Sequence, residues 1–283
     1  MGMLAYINQY VGLFLDTLRQ VGRGKVWLVL LILAVLQAII LYALHDFLSP
    51  LFYGIVMWFV RLVAESDARL FIHYPTHYLV LPHVFGLAKL VPGLVAEGLL
   101  LGAAAMYFHN AYLKDTGAER LTFRSAAASW LQLILAWLLL NGLTMLISLY
   151  LPDWLVFFHD FSPRRLALLQ WAVMPFIFTV VLAMLFFTIP AVVIQRLNIL
   201  RAVVASLRVF IRRPLTCLFL AAAILVGPYV LSQFAGYSSD IIVKFRPELV
   251  FWVLMAGLAV ELVANFFWMG TAVRFMLSED ELS

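Results

Sequence analysis

The run Val26–Leu44, VWLVLLILAVLQAIILYAL, carries no charged side chain, and the run Leu249–Thr271, LVFWVLMAGLAVELVANFFWMGT, carries only Glu261. A bilayer's hydrocarbon core is about 30 Å thick, which roughly 20 helical residues cross at about 1.5 Å each. Backbone amides inside that layer must be bonded within their own segment, so such runs are helices. Four further runs obey the same logic, and the predicted spans lie at 26–44, 87–108, 127–149, 167–189, 215–235 and 249–271. The expected fold is all-α: a polytopic membrane helix bundle of about six transmembrane helices, forming a single integral membrane domain over residues 1–283.

Composition agrees. Hydrophobic residues make up 65% of the chain and charged residues 12%, against about a quarter charged in soluble domains. The segment Met1–Gln20 has polar residues interspersed throughout, unlike the apolar run of a cleavable leader, so the first span is expected to direct insertion. A lone cysteine, Cys217, lies in an apolar run and is expected to pack as a small hydrophobe.

Orientation follows from the basic residues. With the N-terminus inside, the cytoplasmic set is Arg19, Arg23, Lys25, Lys114, Arg120, Arg124, Arg196, Arg201, Arg208, Arg212, Arg213 and Arg274. The outer set is Arg61, Arg69, Lys89, Arg164, Arg165, Lys244 and Arg246. Twelve against seven predicts both termini in the cytoplasm. The net charge of +4 follows from this bias and implies attraction to anionic lipid, not a nucleic-acid partner.

Three segments outside the spans are distinctive. Within 1–25, Leu4, Ile7, Val11, Phe14, Leu15 and Leu18 recur at helical steps, predicting an amphipathic cytoplasmic helix that anchors the first span or docks a partner. The 45–86 connection is read as an extracytoplasmic loop. Its stretch Leu51–Val63 is short and interrupted by Arg61, which predicts an interfacial or re-entrant helix, with a seventh crossing as the alternative. The basic linker 195–214 is the third. On a helical wheel Leu197, Leu200, Val203, Val204, Leu207, Phe210 and Ile211 form one face, with Arg201, Arg208 and Arg212 as a stripe beside it. That stripe is expected to touch lipid phosphates or a partner subunit.

The stretch Ile189–Leu215 resembles the linker of a broad group of six-span bacterial inner-membrane proteins, which includes the membrane domain fused to some glycerophosphodiester phosphodiesterases. The resemblance rests on Pro190 near a span end followed by Ala202, Val203, Ser206 and Val209 in an amphipathic helix. Gln195 stands where that group often has an acidic residue, and no phosphodiesterase domain is present. The resemblance implies an architecture and a lipid-related setting.

Polar groups within the spans are the candidate sites. Glu97 and Glu261 fall near the middle of spans two and six, where an ionised carboxylate costs about 2.5–3.5 kcal/mol on insertion scales. Each is expected to face the bundle interior, with Asn265 one turn beyond Glu261 as a hydrogen-bonding neighbour. Helix-to-helix glue is the plain reading, shared with Gln132, Asn141 and Gln170. The functional reading is a proton or cation relay, or a seat for a substrate headgroup. Gly98 and Gly102 form a small-xxx-small surface, expected to bring the two carboxylate-bearing helices together or to bind another subunit. His73, His77 and His83 cluster in FIHYPTHYLVLPH. Pro75 argues against a regular helix that would align two imidazoles, so aromatic-belt packing is favoured over metal or haem ligation.

No cofactor is implied, and without a nucleophile, base or metal set of recognised spacing an enzyme is the disfavoured class. Two readings stand. One is a lipid- or transport-associated component acting with other membrane or cytoplasmic subunits and with membrane lipids. The alternative is a non-catalytic scaffold or assembly subunit of a larger complex.

Overall fold

The computed structural model describes residues 3–63, 68–113, 120–158 and 162–280. Lys114 and the side chains of Leu4 and Ile7 lie outside the described residues. Every regular element among those described is helical. In chain order they are α1 (Met3–Leu18), α2 (Gly24–His45), α3 (Tyr53–Val63), α4 (Ala68–Phe71), α5 (His77–Tyr112), α6 (Phe123–Ala128), α7 (Trp130–Phe158), α8 (Pro163–Leu168), α9 (Leu169–Ile194), α10 (Ile199–Arg212), α11 (Pro214–Gly236), α12 (Ser238–Lys244) and α13 (Leu249–Asp280).

Six of these are long and apolar enough to cross a membrane: α2, α5, α7 over Trp130–Leu151, α9, α11 and α13 over Leu249–Ser278. The chain is a multi-pass membrane protein. Large apolar side chains such as Leu28, Leu131, Val226 and Trp252 stand exposed on these helices, as suits surfaces solvated by lipid. At 11 residues, α3 spans only about 16 Å, too short to cross. It buries Val56, Met57 and Val60 and exposes Ile55, Trp58 and Leu62.

The second span departs most from expectation. It starts at His77, ten residues before the expected 87. Thr76 Oγ1 donates to Leu70 O and His73 O, both at 2.8 Å, closing the turn that precedes the helix. Pro82 is accommodated inside it; a proline removes one helical hydrogen bond, which membrane helices tolerate. Lys89, at the outer end of the expected span and counted among the outer residues, therefore lies twelve residues inside this one.

Contacts divide the chain into two compact units: Met1–Leu30, Ala96–Val226 and Asn265–Ser283 form one, and Leu31–Val95 with Gly227–Ala264 form the other. The core of the second gathers Leu41, Phe47, Val60, Phe71, Leu81 and Val250.

In the first unit, Gly98 and Gly102 permit a close helix contact. A Cβ at Gly98 would meet Leu133 O at 2.5 Å, and one at Gly102 would meet Leu133 Cδ1 at 2.8 Å and Val193 Cγ2 at 3.1 Å. The small surface of α5 is thus occupied by α7 and α9. This differs from the expected partners, because helix contact is decided by which faces pack and not by the shared presence of carboxylates.

The N-terminal helix is also docked within this unit. Asp16 accepts from Arg274 Nε at 3.0 Å, the hydroxyls of Thr17 and Tyr112 lie 3.2 Å apart, and Tyr112 donates to Gly270 O at 3.3 Å. A Cβ on Gly270 would lie 2.3 Å from Thr17 Cγ2, so only glycine allows this approach.

Candidate functional site

The sequence of the second unit places two helix starts side by side. Just ahead of α5 and α13, the Tyr74 hydroxyl donates to Glu248 Oε1 at 2.9 Å. Ser238 Oγ donates to Leu79 O at 3.4 Å near the same level. Lys89 lies twelve residues beyond His77, and Glu261 twelve beyond Leu249. Two parallel helices with one starting level bring equal depths together, about 18 Å along each axis. There Lys89 Nζ donates to Glu261 Oε2 at 2.6 Å.

The side chains of this ion pair are 25% and 27% exposed. The ammonium also sits 5.8 Å from the Phe85 ring centroid, one turn back on its own helix. Opposite charges in contact offset the cost of placing either ion in lipid, and a 2.6 Å charge-assisted bond is among the stronger kinds. Partial exposure leaves both groups reachable. The pair thus presents one cation and one anion together within the spans.

Glu261 is legible in the sequence as a charge inside a span; Lys89, counted there only among the outer basic residues, is its partner. Glu97 is half-buried and ends the π-helical turn Gly93–Glu97 of α5. Such single turns recur at functional positions. Asn265 is buried one turn beyond Glu261. Gln132, read as glue, accepts from the Ile199 backbone N–H at 2.9 Å, tying α7 to the start of α10.

The three histidines separate. His77 is buried, 4% exposed, with its ring 3.9 Å from Tyr78 and 5.4 Å from Phe47, whereas His73 and His83 are exposed. Among the described residues no group of three His, Cys, Asp or Glu side chains is placed to hold a metal ion. Tyr78 Oη lies 3.0 Å from His45 Nδ1, and His45 stacks on Phe251 at 4.3 Å.

At the helix starts, electrostatics reinforce the Tyr74–Glu248 contact. The Glu248 carboxyl is held below its usual value, first by its own backbone N–H and then by the Tyr74 hydroxyl, and Tyr74 is raised chiefly by donating to that carboxylate. Arg201, Arg208 and Arg212 are exposed on α10. No family model matches this chain, and no curated protein or solved structure shows significant similarity to it.

Proposed function

We propose that this chain is a lipid- or transport-associated component of the bacterial inner membrane, with both termini cytoplasmic, and that it works with partner subunits. Its intramembrane polar site is the Lys89–Glu261 pair, where a proton or the charged headgroup of an amphiphile exchanges against the salt bridge. The observation that carries this reading is an ion pair about a quarter exposed, twelve residues inside two parallel spans. Pure helix glue needs neither full charges nor access. The scaffold alternative loses one support, since Gly98 and Gly102 are already occupied by Leu133 and Val193.

The test uses full-length protein extracted in native nanodiscs, with bound amphiphiles identified by mass spectrometry. Wild type should retain a defined charged amphiphile or show pH-dependent release of one, and Glu261→Gln should lose it while still assembling at reduced stability. The charge-swapped Lys89→Glu/Glu261→Lys protein should recover stability without recovering that retention. Equal lipid and partner content in all three proteins, at every pH, would replace this reading with the scaffold. For orientation, a cysteine at Ser239 should react with an impermeant thiol reagent in intact cells and one at Ala205 should not.

A further inference from the structure

Helix α10 is tied at both ends to membrane spans. At its start the Ile199 N–H donates to Gln132, in the first turn of the third span, and Asn198 accepts from the Arg201 N–H at 3.0 Å. At its end a single residue, Arg213, precedes Pro214, which opens the fifth span. Third and fifth spans of an alternating bundle begin on the same membrane face. A helix of 14 residues, about 21 Å long, is thereby laid along that face.

Its circumference divides into three. Ala202 and Ser206 turn inward, where Ser206 Oγ donates to Met184 O at 2.7 Å and accepts from the Phe187 N–H at 3.2 Å. Across the wheel Leu200, Val204 and Ile211 are 75%, 53% and 75% exposed. Arg201, Arg208 and Arg212 line the edge of that outward face and are exposed too. The apolar set expected to form one continuous face is thus split, because the smallest side chains make the closest helix contact and leave the larger ones outside. From Phe161 to Ser239 the sequence contains no acidic residue that would neutralise the stripe.

We infer that the outward face of α10 binds anionic phospholipid: Leu200, Val204 and Ile211 enter the acyl region while the three guanidiniums take the phosphates. The tether decides for lipid over a soluble protein, since both helix ends are fixed at span starts and the exposed apolar face continues into Leu215 of α11. Guanidinium forks match phosphate oxygens in geometry as well as charge. This inference stands on observations separate from the Lys89–Glu261 pair.

The experiment places one environment-sensitive fluorophore on a cysteine at Val204 in the full chain, with Cys217 replaced by Ser, in nanodiscs of phosphatidylcholine with or without phosphatidylglycerol. Brominated acyl chains on phosphatidylglycerol should quench the probe more strongly than the same chains on phosphatidylcholine at equal mole fraction. Replacing Arg201, Arg208 and Arg212 with Gln should abolish the preference, at about fivefold in lipid partitioning per charge, while Lys at the three positions should keep most of it. Should the Gln protein not assemble, the wild-type comparison and the Lys protein still decide. Emission characteristic of water with no quenching by either lipid would overturn the inference. So would equal quenching by both lipids, or shielding that appears only when soluble proteins are added.

Discussion

Lys89→Met removes one partner of the 2.6 Å salt bridge and strands the Glu261 side chain at mid-span. Breaking a buried pair by deleting one partner costs about 3–5 kcal/mol, and an exposed pair is worth about 0–1 kcal/mol. Exposures of 25% and 27% place this pair between those limits, so the expected loss is about 2–3 kcal/mol. The double variant Lys89→Met/Glu261→Leu removes both ions and their insertion cost of about 2.5–3.5 kcal/mol each. It should return to within about 1 kcal/mol of wild type, or exceed it. The assay is reversible unfolding of the full-length protein in mixed micelles by denaturing detergent, with the four proteins forming a double-mutant cycle. Single variants that cost under about 0.5 kcal/mol, or that sum to the cost of the double variant, would refute the reasoning.

Three further outcomes follow from particular contacts. Gly270→Ala drives a methyl into Thr17 Cγ2, 2.3 Å away; it should cost about 1–3 kcal/mol and open tryptic cleavage at Arg19 and Arg23, with partial rescue by Thr17→Ser. Gly98→Ala should destabilise more than Gly102→Ala, since the first meets a backbone oxygen, Leu133 O, and the second a movable side-chain methyl; comparing the two unfolding midpoints checks it. Tyr74→Phe should raise the Glu248 pKa towards its ordinary value in a carboxyl-carbon NMR titration. Glu248 is lowered in the folded protein, so its stabilisation is present above the ordinary carboxylate pKa and lost as pH falls through the folded value, and Tyr74→Phe should flatten that acid-side dependence.

Hydropathy and length are local properties of a helix, so Val26–Leu44 and Leu249–Thr271 announce their state without reference to the rest of the chain. Solvation by lipid leaves an apolar run of that length no other regular structure, and five of the six spans lie near their expected bounds for this reason. The early start of α5 was hidden by Pro75, which reads as a breaker in sequence and stands just ahead of the helix. The amphipathic character of 199–212 was equally legible. Its outward apolar face was not, because periodicity gives the angles between side chains and leaves open which angle meets the bundle.

Pairings between helices belong to tertiary structure alone. Lys89 and Glu261 are 172 residues apart, and Gln132 and Ile199 are 67 apart. Their meeting depends on the register and rotation of separate helices. The sequence by itself determined that the chain is helical and membrane-embedded, and that Glu261 is an expensive charge needing company. Only the packing of parallel helices from a common starting level decided that the company is Lys89, because helices joined by long connections carry no local signal of the depth at which their side chains meet.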